Sequence, residues 1–235
     1  MRTMRILAID ASSEICALAL GEGERWVERS VVAEQRHSEL LLPMIRSLLD
    51  ECGCTLDDVD GIAFGAGPGS FTGLRLACGV AQGLALGAGL PLVGVSTLEA
   101  LAETARRRNG AIRVIAALDA RMREVYVAAY QHDGERWQEV LAPQVTDPAS
   151  APLPAGSGWA GVGSGFGAYP ALRERCVALL ASCDDSVTPA AAAIGVLASP
   201  RFAAGEGIAA RDAAPCYVRH KVARTSDERA LGGSR

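Results

Sequence analysis

The residue types best suited to chemistry in this chain sit in Gly61–Arg75, GIAFGAGPGSFTGLR: an apolar strand, a turn holding Gly65, Gly67 and Gly69, then a helix start. Such a turn lets backbone come close to a bound group. Ser70 or Thr72 is placed to cap the following helix, whose free N–H groups favour an anion. Two phosphate-binding signatures nevertheless fail on the residues themselves. A Walker A loop needs Gly-Lys followed by Ser or Thr, and no lysine lies near. The dinucleotide fingerprint is interrupted by Pro68 and Phe71 and lacks an acidic residue about 20 positions on. By spacing alone the segment is a tight strand-to-helix turn.

Other reactive residues are equally sparing. Ser70 lies in GPGSF, which is not the G-x-S-x-G elbow of a serine hydrolase, and no histidine or acid is tied to it in sequence. Cys52 and Cys54 lack the second ligand pair that a zinc site requires. Seven cysteines, odd in number and scattered through apolar segments, fit reduced core thiols in a cytosolic protein better than a disulfide framework. His37, at a helix start, reads as a local hydrogen-bonding group.

The elements that must position these residues follow from patterning. With 235 residues, 49% of them hydrophobic, the chain can bury a substantial core, in one domain of two lobes or in two small domains. A net charge of −4 argues against a free-standing nucleic-acid binder. The run Arg106–Arg108 is explained by the dipole at a helix end. Leu76–Val95 is apolar, but its glycines, Gln82 and Pro91 indicate a packed helix rather than a membrane span.

Arg5–Asp10, Ile15–Leu20 and Trp26–Val32 read as an antiparallel meander. A helix over Ser38–Cys52, strand Gly61–Phe64, a helix over Thr72–Ala88 and strand Pro91–Val95 follow. The next helix is opened by Ser96, with Glu99 closing a capping box. A second meander over Ile112–Leu118, Glu124–Tyr130 and Trp137–Ala142 suggests two related halves. A loop over Asp147–Gly158, the turn Gly161–Gly165, helices over Tyr169–Leu180 and from Pro189, and a polar mobile tail over Thr225–Arg235 complete the reading. The expected division is 1–108, 109–224 and 225–235, in an α/β fold with a mixed sheet and helices in each lobe.

Two helices carry more apolar surface than one core needs. On Ser38–Cys52 the apolar residues cover roughly 200° of arc, about twice the usual stripe. On Thr72–Ala88, Gly79, Gly83 and Gly87 recur every four residues, the spacing of a close helix crossing, and Arg75 and Gln82 are its only long polar side chains. A protein partner is one reading of both, and a sandwiched position within the chain is the other.

Leu7–Ser12 (LAIDAS), Arg36–Ile45 (RHSELLLPMI), Gly65–Arg75 (GAGPGSFTGLR), Pro91–Ala102 (PLVGVSTLEALA) and Pro215–Arg219 (PCYVR) together resemble the TsaB (YeaZ) family, bacterial partner proteins in making threonylcarbamoyladenosine in tRNA. The resemblance covers nearly the whole length. It implies the two-lobed actin-like and sugar-kinase (ribonuclease H-like) fold, in which Asp10 stands where an aspartate orients a metal-bound nucleotide. Here Ser12 and Ser13 replace the glycine-threonine pattern of active phosphotransferases. The chain is also similar to the catalytic relative TsaD over Pro91–Ala102. Two metal-binding histidines of that family match Thr97 and Leu101 here, and leucine cannot ligate a metal.

The resemblance thus implies a pseudo-enzyme with no catalytic, cofactor or metal residues, cytoplasmic and not membrane-bound. It would dock on TsaD through the two over-apolar helices, with TsaE joining and tRNA held through the complex. The expected interface is Leu42, Ile45, Arg46, Leu49, Arg75, Gly79, Gln82 and Leu86, and the same face implies a homodimer of the free chain. The rival reading is a metal-dependent phosphotransferase of the same superfamily, working through Asp10 and the Gly161–Gly165 loop. Tyr217 and Arg219 are expected to pack the tail onto the fold.

Overall fold

The first meander forms as β1 (Ile6–Asp10), β2 (Ile15–Glu22) and β3 (Arg25–Val32), paired antiparallel with Leu7 opposite Leu20 and Leu18 opposite Arg29. The structure, a computed structural model, describes residues 4–219, so the expected tail over Thr225–Arg235 lies outside the described residues. After α1 (His37–Glu51), strand β4 (Gly61–Gly67) joins the other side of β1 in parallel; after α2 (Phe71–Ala88), β5 (Leu92–Ser96) extends the sheet beside β4. The sheet order is β3-β2-β1-β4-β5. β1 and β4 are buried along their length, which is why their sequences run apolar instead of alternating.

After α3 (Thr97–Asn109) the same plan recurs. β6 (Arg113–Asp119), β7 (Val125–His132) and β8 (Trp137–Thr146) form the second meander, and β9 (Trp159–Val162) and β10 (Leu180–Asp184) lie parallel on the far side of β6. The two sheets share one topology, so the expected pair of related halves is present. The expected helix over Tyr169–Leu180 is instead two short helices, α4 (Gly165–Ala168) and α5 (Pro170–Cys176), followed by β10. The last helix, α6, spans Ala191–Ala203.

Helices α1 and α2 cover one face of the first sheet, where Leu41, Ile45, Leu48, Ala77 and Ala81 pack on Leu7, Ile9, Leu18, Ile62 and Phe64. Each fully buried leucine, such as Leu41 or Leu48, stabilises by about 1.5–3 kcal/mol. The opposite face carries Ala8, Ala17, Ala19 and Ala63, and these small residues let α6 settle close with Ala191, Ile194, Ala198 and Phe202. α3 crosses to the second sheet, burying Leu98, Leu101, Ala102 and Ala105 against Val114, Ala116 and Ala128. A cut between residues 108 and 109 therefore separates the sheets but not the lobes. Each sheet is covered by a helix from the other side of that cut, and α3 and α6 pack against each other between them.

The expected capping box at α3 does not form. Ser96 occupies the N-cap position but makes no side-chain capping bond, and Glu99 is drawn into the protein, where burial pushes its carboxyl up against the pull of Arg201. The chain then returns from α6 as a strap over residues 207–219. Ile208 and Leu92 exchange two backbone bonds of 2.9 Å, and Cys216 N donates to Ala66 O at 2.7 Å. Gln82 Nε2, on α2, donates to Ala210 O at 2.9 Å and to Ala213 O at 3.1 Å. Arg219 reaches the second lobe, donating to Ala120 O at 3.1 Å and pairing with Glu124. Tyr217 and Arg219 thus pin the strap as expected.

The polarity of Gln82 is explained by these two bonds. Gln82→Ala leaves both carbonyls without their donor and is expected to cost about 1–2 kcal/mol. The check is amide hydrogen exchange over residues 207–217, which should accelerate there and not in β1 or β4.

Candidate docking face

Asp10 ends β1 with its side chain 1% exposed. Its oxygens accept from Ser12 N at 3.3 Å and from Ser12 Oγ at 3.0 Å. A Cβ at residue 65 would lie 2.1 Å from Asp10 Oδ1, so the carboxylate rests on the bare Cα of Gly65, and Ile194 of α6 closes in at 3.4 Å from the same point. Burial pushes the Asp10 carboxyl up to about 6, against the opposing pull of the Ser12 bonds. A carboxylate enclosed this way does not fit a metal-bound nucleotide.

The positions that match the metal histidines of the catalytic relative fare no better. Thr97 is 1% exposed with a hydroxyl that finds no partner, and Leu101 is wholly buried in the core under the second sheet. Among the described residues no group of three or more His, Cys, Asp or Glu is placed to hold a metal ion. Nor does the glycine turn serve as a phosphate cradle. A Cβ at Gly73 would lie 1.8 Å from Ala11 O, so this glycine lets α2 start directly on the β1–β2 hairpin. Ser70 Oγ accepts from Gly73 N at 3.3 Å as the helix cap, which makes Ser70 the cap of the two candidates. His37 Nε2 is 3.0 Å from Ser13 O, so its partner is the β1–β2 hairpin 24 positions back rather than the local group expected at a helix start.

A cavity of about 520 Å³ opens elsewhere, at the end of α3, lined by Glu24, Glu28 and Arg106–Arg108. There the start of α6 is tied down: Ala190 N donates to Thr104 Oγ1 at 3.1 Å and Ala192 N to Glu28 at 3.2 Å.

The outer sides of α1 and α2, which lie together on one sheet face, are built differently. Leu42 is 53% exposed and Leu86 78% exposed, unusual for leucines on core-packed helices. Gly79, Gly83 and Gly87 are exposed, and a Cβ at any of them would meet nothing within 4 Å. The close crossing that their spacing suggests has no counterpart within the described residues of this chain. α2 has the length and composition to cross a membrane, but Leu74, Ala77, Cys78, Ala81 and Ala85 are committed to the core.

Of the expected interface residues, the structure brings Leu42, Arg46, Arg75, Gly79 and Leu86 to the outside. Leu49 is half-buried at the margin of the core and Gln82 is occupied by the strap. Ile45 is corrected: it is 3% exposed and faces the sheet, because the wide apolar arc of α1 serves the core on that side. Two exposed aromatics lie outside the expected interface set, Phe71 at 43% and Tyr217 at 41%. Both lie inside motifs already singled out, GPGSFTGLR and PCYVR, but 146 positions of chain hide their contact, a ring-centroid separation of 5.7 Å.

Comparison with known proteins bears on the family and the fold. The family model described as "TsaD: tRNA N6-adenosine threonylcarbamoyltransferase" matches residues 31–160. The tRNA threonylcarbamoyladenosine biosynthesis protein TsaB of Escherichia coli is 42% identical, over 94% of this chain and 96% of its own length. The protein of the same name from Haemophilus influenzae is 36% identical over the same shares. Among solved structures, a Pseudomonas aeruginosa protein described as similar to the peptidase YeaZ superposes with a TM-score of 0.85 at 42% identity, covering 92% of this chain and 100% of that one. YeaZ from Pseudomonas aeruginosa gives 0.83 at 40% identity, covering 91% and 99%. With two duplicated mixed sheets, an enclosed Asp10 and relatives that match it nearly end to end, this chain belongs to the TsaB family of tRNA threonylcarbamoyladenosine biosynthesis proteins.

Proposed function

We propose that this chain is a non-catalytic subunit in threonylcarbamoyladenosine formation, at the adenosine adjoining the tRNA anticodon, acting as scaffold and activator of a TsaD-family transferase. α1 and α2 dock on the equivalent helices of that partner, TsaE joins the assembly, and tRNA is held through the complex. The single observation that carries the reading is the open glycine stripe of α2. Gly79, Gly83 and Gly87 each cost helix stability by about 0.5–1 kcal/mol relative to alanine, and nothing among the described residues uses the space they leave. A second helix laid along the stripe, between exposed Leu42 and Leu86, uses it.

Buried Thr97 and Leu101 support a non-catalytic role, as they leave no ligands where the transferase family binds its metal. The enclosed Asp10 weighs against the phosphotransferase alternative for the same reason. The setting is the cytoplasm, and the same helices pair two copies of the chain when the partner is absent.

The test is tRNA modification by the TsaD-family protein, TsaE and the threonylcarbamoyl-adenylate synthase of the same organism, with and without this chain. Dependence on the chain is expected. Full modification without it, or metal-dependent ATP turnover by the chain alone, overturns the proposal.

A further inference from the structure

The glycine stripe does not end in solvent. Its four-residue spacing continues one turn back to Arg75, so Arg75, Gly79, Gly83 and Gly87 lie along one side of α2. The Arg75 guanidinium sits over the Phe71 ring, with Cζ 3.8 Å from its centroid. Arg75 Nε donates to the Tyr217 hydroxyl at 3.0 Å, and the Tyr217 and Phe71 rings pack on each other. Tyr217 is in turn fixed by the strap, through Cys216 N on Ala66 O and the grip of Arg219 on the second lobe. Among the described residues no carboxylate pairs with Arg75, and its two terminal nitrogens make no hydrogen bond.

We infer that this knuckle of Phe71, Arg75 and Tyr217 is a receptor for a carboxylate side chain on the helix that docks along α2. The inference rests on the docking reading above and adds the chemistry of the group recognised. A guanidinium held by stacking on one side and by a hydroxyl at Nε keeps a planar pair of donors aimed outward. It therefore loses little freedom on meeting a carboxylate. Exposed arginine and tyrosine, rigidly set beside an apolar surface, are the residue types that dominate protein contacts. A phosphate group matches the same fork, but the stripe of α2 leading away from Arg75 is made of glycines and Leu86; the exposed Arg46 lies on α1 and Arg211 sits beside the carboxylate of Asp212, so no row of cations follows the stripe as a nucleic-acid backbone requires. The strap thereby becomes a third element of the docking face.

The experiment is calorimetric titration of this chain into the TsaD-family protein of the same organism at low and high salt. It compares wild type with Arg75→Ala, Arg75→Lys and Tyr217→Phe, and adds a parallel titration with the organism's tRNA. Arg75→Ala is expected to weaken binding about 30-fold and to flatten its salt dependence. Arg75→Lys, which keeps the charge but not the fork, should recover only part of this. Tyr217→Phe, which keeps the ring stack and removes the orienting oxygen, should cost about 3–10-fold. It carries the test if Arg75→Ala lowers the melting temperature.

Wild-type binding with every variant within twofold overturns the receptor and leaves the docking reading standing. Loss of tRNA affinity with partner affinity unchanged also overturns it, in favour of a phosphate site. No wild-type binding at all overturns the docking reading itself.

Discussion

Gly79→Leu is expected to make this protein slightly more stable and functionally inert. The added side chain enters open space, and an exposed helical glycine replaced by leucine gains about 0.5–1 kcal/mol, a rise of roughly 1–4 °C in melting temperature for a chain of this size. The same side chain lies where the proposed partner helix would approach. Overpacking a close contact costs up to about 3 kcal/mol, or on the order of 100-fold in affinity. Thermal melting and the reconstituted tRNA modification assay read the two effects separately. A variant that melts as expected and still supports modification at the wild-type rate refutes docking along the stripe. Ordinary loss-of-function substitutions lower stability and activity together, so this divergence distinguishes a contact surface from a structural position.

Asp10→Asn is expected to stabilise the fold at neutral pH and to leave modification intact. The carboxyl titrates near 3.8 when unfolded and at about 6 in the folded chain. Between those values the folded state binds more protons than the unfolded one, so stability falls as pH rises through the window and stays lower above it. The full difference is about 2–3 kcal/mol, since a gap of one pH between the two values corresponds to about 1.4 kcal/mol. Well below the unfolded value of 3.8 the group is protonated in both states and the penalty vanishes. Asparagine removes the charge and with it this pH dependence. Urea unfolding of wild type and variant at pH 4.5 and pH 7.5 checks the sign: the variant's advantage must grow at the higher pH. An enzyme that used Asp10 to orient a metal would instead lose its activity with this substitution.

Much of the fold is legible in the sequence because its signals are local. The two meanders, the apolar strand β4 and the glycine turn each follow from the spacing of apolar residues and turn formers. β10 escapes such a reading because LASCD neither alternates nor runs apolar, and its residues are at most half-buried. Its place is set by pairing with β9 rather than by its own sequence. Glu99 has the position of a capping residue, three after Ser96, while the fold draws it toward Arg201, about a hundred positions away.

The proposed docking face is half legible. The spacing of Gly79, Gly83 and Gly87 is written in the chain, whereas the inward face of Ile45 within a wide apolar arc is decided by packing. The task of Gln82 is invisible in the sequence, since its acceptors lie 128 and 131 residues away.

The exchange of α3 and α6 between the sheets sets an order on biosynthesis. The first sheet is complete in sequence at Ser96, yet its alanine-lined face stays bare until α6 has been made. At 5–20 residues per second, roughly a hundred further residues take about 5–20 s, during which a nascent apolar surface waits on the ribosome. That interval leaves the emerging chain open to non-native contacts, and it places the cost of joining two lobes by shared helices on translation rather than on the finished protein.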